Sequence, residues 1–199
     1  LNVNDQFHCN GYKQVGGYRI HCWKTQGHGA ENFIDGIKNS CNPVFMEIGE
    51  RIGNADFYKY YKAFGFTEKT GIELNGETSG LFYNLNMFNE TELATSSFGQ
   101  GFQVTPLQML TAVSCVANGG YLMRPYLVKQ LTDNDGNILK ETGSQVVRQV
   151  ISGDTAKTLC QLLENVVTDG TGKNAFIEGF HIAGKTATSE KFPRGSRKY

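Results

Sequence analysis

One stretch restricts the possible folds more than any other: Thr105-Pro106-Leu107-Gln108, leading into an apolar run that ends at Ala117. A threonine followed by proline, with glutamine at the third helical position, is a capping box. In it the cap and the third side chain satisfy each other's free backbone N–H groups. Pro106 costs nothing at the first helical position, where its missing N–H would have had no partner. Asn118-Gly119-Gly120 ends the helix. Leu107, Leu110, Ala112, Val113 and Val116 are too apolar for an exposed helix, so the pattern places it centrally.

Around this helix the signals are mixed. Val15-Gly16-Gly17-Tyr18 reads as a hairpin turn between short β-type runs, in a segment with few apolar residues. Phe33, Ile34 and Ile37 give residues 30–38 a helical period. Asn42-Pro43 opens a second helix with Asn42 as cap and Phe45, Ile48 and Ile52 as its buried stripe. A third helix is expected over 55–64, where the aromatic stripe of Phe57, Tyr58, Tyr60 and Tyr61 reads as core. Residues 65–80 are loop, and Thr91 to Ser97 a short helix ending at Gly99. Residues 121–150 read as strands turning at Asp133-Asn134-Asp135-Gly136-Asn137. Ser152 caps a helix through Val167. Gly170-Thr171-Gly172-Lys173 lacks the earlier glycine and the Ser or Thr of a phosphate loop, so nucleotide binding is rejected there. Phe180 to Ser189 alternates as a strand, with Lys185 and Ala187 on one face and Thr186 and Thr188 on the other.

The chain of 199 residues is sized for one core or part of one. Nineteen basic and nineteen acidic residues leave no net charge, which argues against a nucleic-acid partner. No run approaches the roughly 18 apolar residues of a membrane span, and the polar N-terminus is no signal peptide. Five cysteines, an odd number, do not make a complete disulfide framework.

Two polar clusters carry the chemistry. Lys185-Thr186-Ala187 on an edge strand can hold a carboxylate and offer N–H groups to an oxyanion. Ser40-Cys41-Asn42 lies in a turn between two helices. Lys-Thr-Gly and Ser-x-Asn are signatures of penicillin-reactive serine acyltransferases. The text between them agrees: Phe98-Gly99-Gln100-Gly101, Thr105-Pro106-Leu107-Gln108, Ala117-Asn118-Gly119-Gly120, Thr67 to Ile72 and Gly170-Thr171-Gly172. Over nearly its whole length the chain resembles the class B penicillin-binding proteins, and within them the sporulation type of spore-forming bacteria.

The resemblance implies an α/β (α+β) serine transpeptidase, β-lactamase-like fold, here an incomplete domain: a helical subdomain plus part of an antiparallel sheet. Residues 1–29 would be a Cys/His hairpin module, 30–120 a mainly helical region with the Ser-x-Asn motif, and 121–199 strands and a helix leading to the Lys-Thr-Ala strand. It implies acyl transfer on D-alanyl-D-alanine stem peptides, covalent capture of β-lactams, and partners in the glycosyltransferase, elongation or sporulation machinery and in the rest of the domain. It also implies a position outside the cell membrane, with an anchor upstream. Ser40 would relay a proton, Asn42 would bond the substrate's amide, and Lys185 would supply positive potential. Thr186 and Thr188 would bind the terminal carboxylate, and the Thr188 N–H would be one oxyanion donor. No serine here has lysine three residues later, so the nucleophilic Ser-x-x-Lys would come from outside these residues. Ala187 departs from the family's glycine, and its methyl narrows the approach to the strand. The rival classes are a non-catalytic scaffold or sensor, and a D,D-carboxypeptidase or β-lactamase that uses water as acceptor.

Asp5, Cys9, Cys22 and His28 form an Asp-x3-Cys…Cys-x5-His set, with the thiols drawn together by Gly16-Gly17. Two sulfurs, one imidazole and one carboxylate suit a structural zinc ion. His8 and His21 are alternatives to Asp5, and a Cys9–Cys22 disulfide is the rival. Cys41 reads as packing.

Overall fold

The structure is a computed structural model and describes residues 1–189; residues 190–199 of the region 121–199 lie outside the described residues. The chain divides into two compact units. One holds Leu1–Tyr58, Tyr83–Phe102 and the described residues from Thr158 on; the other holds Lys59–Phe82 and Gln103–Lys157.

In the first unit, β1 (Gln6–Cys9) pairs antiparallel with β4 (Gly29–Asn32), and β2 (Tyr12–Val15) with β3 (Tyr18–His21). The β2–β3 turn needs left-handed backbone at both central residues, and Gly16 and Gly17 supply it at φ +53° and +82°. The segment is less starved of core than its composition suggests. Phe7, Cys9, Val15 and Cys22 are all buried, because β1 and the hairpin lie against helix α2 (Asn42–Ile52). Residues 30–32 belong to β4 rather than to a helix. Helix α1 (Phe33–Lys38) begins only after Asn32, whose side chain accepts from the Asp35 N–H.

Helix α2 is capped by Cys41, not Asn42, with Pro43 in its first turn. Its buried face is Val44, Met46, Ile48 and Gly49, while Ile52 is exposed. The expected Phe45–Ile48–Ile52 stripe is rotated because α2 packs on two sides, against the strands and against α4 (Glu90–Ser97). The α2–α4 approach is close at Gly49, where a Cβ would fall 1.9 Å from Ser97 Oγ. Helix α6 (Gly153–Asp169) buries Leu162, Val166 and Val167 in this unit.

In the second unit, α5 (Pro106–Ala117) forms with the expected capping box. Thr105 Oγ1 accepts from the Gln108 N–H at 3.1 Å, and Gln108 Oε1 accepts from the Thr105 N–H at 2.8 Å. Gln108 is also buried, and its Nε2 donates to the carbonyls of Gly65, Phe66 and Glu68. One side chain thus caps the helix and holds three loop carbonyls. The helix is not enclosed as its apolarity predicts: Ala112 and Cys115 are buried, but Met109, Leu110 and Val113 are exposed. Apolarity all round says that a helix needs cover, and no described residue covers that face. Beyond α5, β5 (Tyr121–Arg124) pairs with β8 (Gln145–Gln149), and β6 (Gln130–Thr132) with β7 (Ile138–Glu141). Helix α3 (Asn54–Ala63) ends at an aromatic stack in which Tyr61 is buried on Phe82 at 3.8 Å between ring centroids.

The run 180–189 is not a strand here. It carries no ladder, because no described segment lies alongside to pair with it. Its local pattern suits a strand, but the partner that makes one is a long-range property.

Candidate active site

Ser40 follows α1 in a turn of unusual backbone. Its φ is +52°, and among the described residues it is the only non-glycine with positive φ. Such a conformation costs on the order of 1–3 kcal/mol and persists where the surroundings impose it. Here the Ser40 N–H donates to Ile37 O at 3.1 Å and the Cys41 N–H to Gly36 O at 3.0 Å. A Cβ on Gly36 would lie 2.4 Å from Val44, so α1 and α2 fix the turn from both sides.

Lys185 reaches this turn from the far end of the chain, donating from Nζ to Ser40 Oγ at 2.7 Å. The amine also sits 5.8 Å from the centre of the Phe45 ring. The residue as a whole is exposed, but protein atoms crowd its ammonium end, and that desolvation lowers its pKa. The two expected motifs are therefore one site.

Thr186 Oγ1 is 2.9 Å from Thr171 Oγ1. Thr171 itself is tied back to the end of α1, its N–H donating to Lys38 O at 3.2 Å. Gly170 permits this, since a Cβ there would lie 2.6 Å from the same carbonyl. Lys38 Nζ meets Asp169 at 3.0 Å, and the pairing raises the pKa of Lys38 and lowers that of Asp169. Thr188 and Ala187 are exposed beside Lys185. Asn42, expected to bond the substrate's amide, donates from Nδ2 to His21 O at 3.1 Å.

Behind the turn lies a cluster of soft ligands. The ligand atoms of Cys9, Cys22, His28 and Cys41 all fall within 4.8 Å of one another. Bonds of about 2.3 Å to a tetrahedral zinc place sulfurs about 3.7 Å apart, and His28 Nδ1 lies 3.7 Å from Cys22 Sγ. All five cysteines are free thiols, so no Cys9–Cys22 disulfide forms. Cys22 and Cys41 share a proton: the hydrogen bond from Cys41 holds Cys22 down at about pH 5, and that bond and burial push Cys41 up. Asp5 is not in the cluster. Its carboxylate meets Arg51 at 3.1 Å and accepts from the Asn2 N–H. His8 bonds Asn10, and His21 lends its carbonyl to Asn42.

The whole chain, residues 1–199, matches the penicillin-binding protein transpeptidase domain family. The chain belongs to that family. Stage V sporulation protein D of Bacillus subtilis (strain 168) is 45% identical over 192 residues, which is 96% of this chain and 30% of that protein. Penicillin-binding protein PbpB of Mycolicibacterium smegmatis is 33% identical over 159 residues, 76% of this chain and 24% of that protein. Among solved structures, penicillin-binding protein 3 of Mycobacterium tuberculosis complexed with ampicillin superposes with a TM-score of 0.89 at 28% identity, over 98% of this chain and 44% of that one. This transpeptidase-family chain thus spans less than a third of the length of the two curated relatives.

Two residues of this transpeptidase-family chain escaped the sequence reading. Cys41, which the sequence reads as packing between Ser40 and Asn42, has its thiol among those of Cys9 and Cys22 and the ring of His28. Glu31 is a lone carboxylate in sequence. In the structure it is buried, with one oxygen 3.9 Å from His28 Nδ1 and the other on Asn39 at 2.8 Å.

Proposed function

We propose that this chain is the central part of a peptidoglycan D,D-transpeptidase domain. The observation that carries the reading is the 2.7 Å bond from Lys185 to Ser40, which joins two motifs 145 residues apart. In this mechanism a serine from a Ser-x-x-Lys segment attacks the carbonyl of the penultimate D-alanine. Its proton passes by way of Ser40 to the departing D-alanine amine as the C–N bond breaks. The amine of a neighbouring stem peptide then attacks the ester, and the serine oxygen regains its proton. Lys185 keeps positive potential over the cleft, and the hydroxyls of Thr186 and Thr188 hold the substrate's carboxylate. The Thr188 N–H receives the oxyanion, a contact worth roughly 3 kcal/mol. The same geometry captures β-lactams. Likeness to a sporulation protein supports a role in building the spore cortex, with work on the outer face of the membrane. No described helix is long and apolar enough to cross a membrane, so the anchor and the glycosyltransferase or sporulation partners belong to this proposal.

Zinc fits the thiol cluster, with Cys9, Cys22, Cys41 and His28 as its holders. The hydrogen bond from Cys41 lowers the pKa of Cys22, which favours the thiolate that a metal needs. Bound zinc would act structurally, because Cys41 stands between Ser40 and Asn42.

Intact-mass measurement after exposure to a penicillin tests the function. The 199 residues alone are expected to gain no mass, since no Ser-x-x-Lys lies within them. The longer protein that supplies the motif should gain one penicillin per chain. An adduct on the 199-residue chain, or none on the longer protein, would refute the assignment. Products formed with and without an amine acceptor separate transpeptidase from carboxypeptidase or β-lactamase.

A further inference from the structure

The loop Phe98-Gly99-Gln100-Gly101 matched the family pattern in sequence but has no part in the mechanism above. It leaves α4, which is anchored by buried Leu93, Ala94 and Ser96. Gly99 and Gly101, at φ +90° and +83°, hold backbone that side chains other than glycine rarely adopt. The Gln100 N–H donates to Thr95 O at 3.0 Å. The loop therefore presents one side chain, Gln100, in a fixed place.

That side chain grips the Lys-Thr-Ala segment. Gln100 Nε2 donates to Thr188 O at 3.1 Å, and Gln100 Oε1 accepts from Ser189 Oγ at 3.3 Å. Both ends of one carboxamide are spent on two successive residues. The Thr188 N–H and C=O flank one Cα, so a donor held on the carbonyl restrains the direction of the N–H.

We propose that Gln100 is a positioning residue that orients the Thr188 peptide as oxyanion donor. The inference rests on the transpeptidase reading. Its effect is confined to the transition state, because the oxyanion forms only there, whereas the carboxylate-binding hydroxyls of Thr186 and Thr188 act on bound ligand from the start. Misaiming a reacting contact by about 1 Å can cost on the order of 100-fold in rate.

The test uses the longer, acylating protein and a saturation series with a penicillin, separating the binding constant from the acylation rate constant. Gln100→Met keeps the length but removes the donor, and Gln100→Ala removes the side chain. Both are expected to lower the acylation rate constant about tenfold to a hundredfold, with the binding constant and thermal midpoint within about twofold and 2 °C of the parent. An acylation rate constant within twofold of the parent in both variants overturns the proposal. So does a parallel loss of binding and thermal stability, which would mark a merely structural residue. A parent that never acylates refutes the transpeptidase reading instead, and is seen before any variant is made.

Discussion

Cys41→Ser is expected to empty the thiol cluster. Protein purified without chelator should carry about one zinc per chain, and the variant less than a tenth of that by elemental analysis. Changing a group that only braces a ligand weakens metal binding by about 10- to 100-fold, so losing a ligand should cost more than that. Structural zinc adds its binding free energy to folding, so the variant should also melt at a markedly lower temperature. The damage reaches the active site because Cys41 caps α2 and separates Ser40 from Asn42. Asp5→Ala serves as the comparison, since Asp5 meets Arg51 rather than the cluster. Full zinc in Cys41→Ser with none in Asp5→Ala would restore the ligand set expected from sequence and sink the one drawn from geometry.

Lys185→Met, in the longer protein, is expected to slow penicillin acylation by about 100- to 1,000-fold. The variant removes the positive end of the site and the donor to Ser40 Oγ, groups of the kind worth about 3–4 kcal/mol when preorganised. The pH profile gives a second readout. Desolvation lowers the pKa of Lys185, and an ammonium carries charge only below its pKa. Activity that depends on the charge should therefore fall, as pH rises, before the ordinary lysine value near 10.4. Lys185→Arg keeps the charge and should move that alkaline limb upward. An unchanged limb in Lys185→Arg, or near-parental acylation in Lys185→Met, would remove Lys185 from the mechanism.

Local signals were legible wherever local chemistry decides the outcome. The Thr105–Gln108 box, the Gly16-Gly17 turn and the cap at Ser152, whose Oγ accepts from the Thr155 N–H, are short-range hydrogen-bond arrangements and form as expected. The errors share a different origin. The face of α2 that is buried, the state of residues 180–189 and the exposure of Leu110 and Val113 all depend on what lies alongside. The thiol cluster shows both sides: Cys9, Cys22 and His28 stood out by spacing, whereas Cys41 joins them, and Asp5 does not, because α1 and α2 fold the Ser40 turn back onto the hairpin module.

The sequence distances within the site imply an order of assembly. Ser40 and Lys185 close a loop of 145 residues, whereas Cys9 and Cys41 are separated by roughly a quarter of that. Closure entropy grows by about 0.6 kcal/mol per doubling of length, so the thiol cluster is about 1.2 kcal/mol cheaper to bring together. During refolding the cluster should gather first and the Ser40–Lys185 contact last, so a nascent chain could take up metal well before it could bind substrate. Pulsed hydrogen exchange during refolding should protect the amides of β1, β4 and α2 before that of Gly184, which donates to Leu163 O next to Lys185. Simultaneous protection would mean that the two halves of the site fold as a single cooperative event.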